Sequence, residues 1–101
     1  MEIIQMVNDR MNHAANQFII KHKGETFFQS YKTMCAKISK NKKVFLNKEY
    51  FIDSNLSGGS KTTNKHLYIF LRENGFPSIR NKKDVTEEIE NGNFVLTNVE
   101  L

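Results

Sequence analysis

One segment of this chain reads as a helix with both ends marked. From about residue 62 to 74, Thr63, Leu67, Phe70, Leu71 and Asn74 fall on one face at the helical period. Ser60 or Thr62 can cap its free N–H groups, and Asn74-Gly75 followed by Pro77 stops it. An apolar stripe on one helix has to be covered. What the rest of the chain offers is mostly short strand-like runs.

Residues 17–22, Val44-Phe45-Leu46, Tyr50-Phe51-Ile52 and residues 94–99 have the length and content of strands. Residues 26–38 fit two patterns. Phe28, Met34, Ala36 and Ile38 alternate as in a strand, whereas Phe27, Tyr31, Met34, Cys35 and Ile38 suit a helix. The preceding glycine turn and the Thr, Phe and Tyr content favour a strand. Turns are expected at Lys23-Gly24-Glu25, Asn41-Lys42-Lys43 and Asn91-Gly92, and a flexible loop over residues 53–60. Two further helices are expected. One spans residues 2–15, where Ile3, Val7, Met11 and Ala14 make a stripe without a strong cap. The other is short, opened by Asp84 and Glu87 as a capping box, and runs to about residue 91. The expected fold is α+β: a small, mostly antiparallel sheet of three to five strands packed against two or three helices. Phe18, Ile20, Phe28, Tyr31, Met34, Phe45, Leu67, Phe70, Leu71 and Phe94 should furnish much of its core.

At 101 residues the chain suits a single domain, 1–101, with one modest core and no cleft between two halves. Cys35 is its one cysteine, so no intramolecular disulfide can form. No apolar run approaches the roughly 18 residues of a membrane span, and Met1-Glu2-Ile3-Ile4 does not read as a signal peptide. These features fit the cytoplasm and no membrane. Charge is uneven: residues 1–83 carry all 15 basic side chains, and residues 84–101 carry acids only. A basic body can attract phosphate or an acidic protein surface, or the acidic segment can fold back on it.

Five groups of residues are candidate sites. Gly58-Gly59-Ser60-Lys61-Thr62-Thr63 has the look of a P-loop, but Asn55 and Ser60 occupy both glycine positions of that pattern, which excludes nucleotide hydrolysis. Ser60, Lys61, Thr62 and Thr63 could still hold a phosphate or other anion at the helix start; the plain alternative is a loop and a cap. Lys61, Lys65, Tyr68 and Arg72 lie on the helix side away from the apolar stripe, a basic face with one aromatic that suits a partner-binding surface. Most such faces are simply solvated. Lys37, Lys40, Lys42 and Lys43 straddle a turn, where lysines usually serve solubility. His13, His22 and His66 share no metal-ligand spacing with Cys35, and Glu49 with Asp53 makes an incomplete pair for a metal nuclease. No cofactor, metal or catalytic constellation is expected.

Two stretches resemble a family of small, largely uncharacterised proteins of phages and bacterial mobile elements. The first is Phe28-Gln29-Ser30-Tyr31-Lys32-Thr33-Met34-Cys35-Ala36, matching Phe-x-Ser-Tyr-x-Thr-x-x-Ala. The second is Ser60-Lys61-Thr62-Thr63-Asn64-Lys65-His66, matching Ser-x-Thr-Thr-x-Lys-His, followed by Phe70-Leu71. The match covers under half the chain. It departs from the pattern at the aromatic before the second stretch, since Tyr50-Phe51 is set off by the glycine loop. The resemblance implies an accessory role.

Three functional expectations follow, in order. The first is a non-catalytic phage-type protein that binds and inhibits a host protein, a defence or nucleic-acid-processing machine such as a CRISPR effector. The second is a nucleic-acid-binding protein using the basic helix face. The third is a small metal-dependent enzyme. The sequence leaves the oligomeric state open.

Overall fold

The computed structural model describes residues 1–7, 10–48 and 61–100, with the backbone alone for 61 and 62. Six strands form one sheet in chain order: β1 (Glu2–Val7), β2 (His13–His22), β3 (Glu25–Ser30), β4 (Thr33–Ile38), β5 (Val44–Asn47) and β6 (Phe94–Thr97). The first five make an antiparallel meander, and β6 runs parallel to β5. A parallel neighbour needs a crossover, and the described part of this one carries two helices, α1 (Lys61–Glu73) and α2 (Lys82–Glu90). The fold is α+β, with one more strand than the upper bound expected. No described helix is long and apolar enough to cross a membrane.

Strand alternation gives the sheet two apolar faces. The helical face presents Met6, Phe28, Ala36, Ile38, Val44, Leu46 and Phe94 to Leu67, Phe70 and Leu71 of α1, with Ile79 and Val85. Phe28 stacks on Phe70 with ring centroids 5.7 Å apart. On the opposite face Ile20 and Phe27 are buried under Val99, flanked by Met34 and Phe45. The segment after β6 thus covers part of the face that no described helix reaches.

Residues 2–15 are not a helix. They form β1, a connection, and the start of β2. Met11 and Ile3 of the supposed stripe are 79% and 61% exposed, while Met6, off that stripe, is 4% exposed. β-Branched Ile3, Ile4 and Val7 suit a pleated strand, and pairing with β2 supplies the backbone hydrogen bonds. Residues 26–38 are extended as expected, but as two strands. The chain reverses at Tyr31-Lys32, where Tyr31 has φ of +56°. A bulky residue rarely adopts that conformation, so no turn signal marked it. Tyr31 is accordingly 56% exposed, not core. Of the other expected core residues, Phe18, Met34 and Phe45 are half-buried and the rest are buried.

α1 lies within a residue of its expected span. Gly75 at φ +108° ends it, with the Phe76 amide donating to the Leu71 carbonyl (3.0 Å) and the Asn74 side chain to the Phe70 carbonyl (2.7 Å). α2 begins before the expected Asp84. Asn81 is its cap and accepts from the Asp84 amide (3.0 Å), while the Asp84 carboxylate accepts from the Arg80 amide (2.9 Å). The turns at 41–43 and 91–92 stand where expected. The expected strand at Tyr50-Phe51-Ile52 and loop at 53–60 lie outside the described residues.

Two bulges disturb the sheet. Val7 pairs with His13 and Gln5 with Phe18, so β2 gains residues between them, and Gln5 Nε2 bridges to the Ala14 carbonyl (3.1 Å). Cys35 is the extra residue where β4 passes β3. Bulges raise local twist and re-aim side chains. The Tyr31 amide donates to the Asn16 carbonyl (2.7 Å), which ties the β3–β4 turn to the β2 bulge.

The β2–β3 hairpin turns on Lys23 and Gly24, both at positive φ, as the two-residue hairpin favours. A Cβ at Gly24 would meet the Lys40 side chain, a flexible neighbour that can move aside. The backbone angle is therefore the main cost. We predict that Gly24→Ala lowers stability by about 1 kcal/mol and Gly24→Asn by less, measured by urea denaturation. Equal stability of Gly24→Ala and wild type would rule out the left-handed turn.

Candidate functional site

The buried face of α1 is not wholly apolar. Leu67, Phe70 and Leu71 fill its later turns, but Thr63 and His66 occupy its start, each 3% exposed. Thr63 meets the end of β3, where its hydroxyl and that of Ser30 lie 2.7 Å apart. Gln17, from the β2 bulge, stands opposite Ser30 in the strand register and is fully buried. Neither its amide nitrogen nor its amide oxygen has a hydrogen-bond partner among the described residues. Gln17, Ser30, Thr63 and His66 are the buried polar side chains of the described residues, so the structure gathers its internal polarity on the helical face of the sheet and the start of α1.

Cys35 borders this region. Its Sγ lies 3.6 Å from the Thr33 carbonyl. Burial pushes its thiol up to about 12, against a smaller lowering by the Ser30 backbone. Such a thiol is protonated at neutral pH, and the thiolate is the nucleophile. Among the described residues no three His, Cys, Asp or Glu side chains stand together as a metal site. Glu49 and Asp53 lie outside the described residues.

The expected anion site and basic face fare unevenly. Ser60 and the side chains of Lys61 and Thr62 lie outside the described residues. Thr63 points its hydroxyl into the sheet interface, not toward an incoming anion. Lys65 is exposed. Tyr68 is half-buried and packs on the core, and burial raises the pKa of its hydroxyl. Arg72 is half-buried, and its Nη1 donates to the Ile79 carbonyl (3.0 Å), fastening the end of α1 to the segment before α2. Tyr68 and Arg72 thus also take part in the fold, while each keeps part of its side chain exposed.

Two surfaces gain weight instead. The first is β1, an edge strand of the sheet. Ile3, Ile4 and Val7 are 61%, 38% and 40% exposed. Ile3 also borders a concavity of about 230 Å³ lined by Phe18, Ile20 and Gln29 on the face away from the helices. The expected N-terminal helix hid this edge. Its sequence signal was the β-branched pair Ile3-Ile4. The second surface is the end of the sheet where the turns at Lys23-Gly24 and 39–43 lie side by side. Lys23, Ser39, Lys40 and Asn41 line one concavity there with Glu25. The Lys37 and Lys43 neighbourhood was visible in the sequence, but the approach of Lys23 was not.

A family model described as Family of unknown function (DUF8033) matches residues 1–88. No curated protein and no solved structure matches the chain.

Two predictions test the buried polar groups. An unsatisfied buried amide costs about 1–3 kcal/mol, so Gln17→Met should stabilise the protein by about that much in thermal or urea unfolding. A loss of stability would mean that the amide holds a partner in solution. Ser30→Ala and Thr63→Val should each cost about 1–2 kcal/mol by stranding the other hydroxyl, and the double variant should cost less than their sum. Strict additivity in that cycle would deny the contact.

Proposed function

The chain belongs to this family of unknown function, and we propose that it is a non-catalytic, phage-type accessory protein that acts by docking on another protein. The observation that carries this reading is the apolar edge at β1. An edge strand presents unpaired backbone N–H and C=O groups and is ordinarily guarded by lysine, proline or a cover. β1 has neither residue, and its run Glu-Ile-Ile-Gln-Met-Val leaves three β-branched side chains exposed. Such a strand suits addition of a partner strand, where main-chain hydrogen bonds supply affinity and alternate side chains supply specificity.

The chemistry of the interior favours the same reading. The cysteine is held protonated by its burial, and Ser30 and Thr63 spend their hydroxyls on each other. The resemblance to phage and mobile-element proteins points the docking surface at a host protein, a defence or nucleic-acid-processing machine such as a CRISPR effector.

A tagged pull-down from bacterial lysate, with and without nuclease, tests this. One host protein should remain at near-equal stoichiometry after nuclease. Ile3→Lys with Val7→Lys, at positions exposed enough to accept charge, should lower its retention at least tenfold, as loss of apolar anchors does. Retention by the double variant at the wild-type level would remove β1 from the interface. Capture that disappears with nuclease would remove the protein-docking reading itself.

A further inference from the structure

We propose that the paired turns at one end of the sheet form a binding site for the phosphate backbone of nucleic acid. The site is distinct from the β1 edge and does not depend on it. Two turns distant in sequence build it. Lys23 stands on the β2–β3 turn, and Lys40, Lys42 and Lys43 on the β4–β5 turn; all four are exposed. Neither Lys23-Gly24 nor residues 39–43 include an acid, and Glu25 directly follows the first. Gly24 brings them together: lacking a Cβ, it leaves room for the Lys40 side chain to lie across the neighbouring hairpin. Lys23 and Lys40 then share the rim of a concavity of about 330 Å³ with Glu25, Ser39 and Asn41.

The negative charge nearby is partly engaged. Glu25 pairs with Lys37 at 3.6 Å, and Lys37 in turn sits 5.0 Å over the Phe45 ring. Phe94 pairs with Val44, so the turn after α2 reaches this end as well. There the Glu88 carboxylate accepts from the Asn93 side chain at 2.9 Å. The four turn lysines remain in excess over both.

The chemistry selects phosphate over an acidic protein surface. Lysine ammoniums on flexible stems are point charges that suit phosphate oxygens, and lysine is depleted in protein–protein interfaces. None of the exposed large apolar side chains belongs to either turn, so neither offers the buried anchor a protein interface relies on. No aromatic side chain stands on either turn to stack on a base. Binding should therefore ignore base sequence and depend on salt.

The test uses fluorescence anisotropy of the full chain with a fluorescein-labelled 20-base-pair DNA duplex, titrated across 50–200 mM NaCl, with polyglutamate of similar charge as competitor. Four neutralised phosphates give a slope of log K against log salt of roughly −3 to −4. Lys23→Gln, Lys40→Gln, Lys42→Gln and Lys43→Gln combined should weaken binding at least tenfold at 50 mM NaCl and flatten that slope. Lys82→Gln with Lys83→Gln, exposed lysines of α2, should leave affinity within about twofold, on the same counter-ion reasoning. Since Lys40 packs across Gly24, Lys42→Gln with Lys43→Gln serves as a second variant if circular dichroism shows the fourfold variant unfolded. It should reduce the slope by about two. The proposal is overturned if the wild type does not bind the duplex, or if the turn variants bind as tightly as wild type. It also falls if the α2 pair loses as much, or if polyglutamate displaces the duplex at equal charge. None of these outcomes bears on the host-protein pull-down, so the two readings fail separately.

Discussion

Phe28 and Phe70 hold the molecule together at its centre. Phe28 lies in β3, in the middle of the five-strand meander, and Phe70 lies in the third turn of α1. Both rings are fully buried and stacked. Burying each is worth about 1.5–3 kcal/mol, and their mutual geometry about 0.5–1.5 kcal/mol more. The contact also sets register. With Phe70 over Phe28, the start of α1 falls over the end of β3, where Thr63 meets Ser30. Across the ladder Phe28 stands opposite Ala36, fully buried, so a large side chain is set against a small one. Leu67 and Leu71 join the same buried cluster.

Putting both described helices on one face has a consequence for the other. A chain of 101 residues has limited apolar surface to spend, and among the described residues the second face receives the segment bearing Val99. Ile20 and Phe27 are covered by it, whereas Phe18, Met34 and Phe45 stay half-buried and Ile3 is open. The exposed strip at β1 is thus a product of the architecture: it is the part of a two-faced sheet farthest from β6 and from the tail that follows it. The opposite edge, β6, differs in that its four residues are buried or half-buried.

How much of this could be read beforehand depended on whether the signal was local. α1 could be read because its stripe, its stop at Asn74-Gly75 and its length agree in one window. The expected strands at 44–46 and 94–99 coincide with β5 and β6, although β6 ends at Thr97. The N-terminal strand could not be read, since four apolar residues happened to fall at helical spacing and the partner that overrules them, β2, lies beyond a connection. Nor could the β3–β4 reversal, because a tyrosine at positive φ is a conformation imposed by the surrounding ladder and not by the residue itself. The site followed the same rule. Helical spacing groups Lys61, Lys65, Tyr68 and Arg72, yet it could not show that Arg72 would donate to the Ile79 carbonyl. It also could not show that Lys23 and Lys40, seventeen positions apart, would meet at one concavity.

The Phe-x-Ser-Tyr-x-Thr and Ser-x-Thr-Thr-x-Lys-His pattern takes on a physical meaning once its residues are placed. Phe28 and Phe70 are the central stack, Ala36 is the small residue facing Phe28, and Ser30 and Thr63 share a hydrogen bond. His66 and Leu71 are buried beside them. Tyr31, Thr33 and Lys65 stay at the surface. Most of the pattern's described positions therefore close one junction, between a hairpin and the helix that lies over it. Any chain that folds this way has reason to hold such residues, whatever it binds. The pattern then argues for a shared fold more strongly than for a shared activity. What distinguishes this protein should be sought where the pattern is silent, on the apolar β1 edge and on the lysine-bearing turns at the end of the sheet. Neither surface contributes a residue to that junction, so either could change its partner at little cost to the fold.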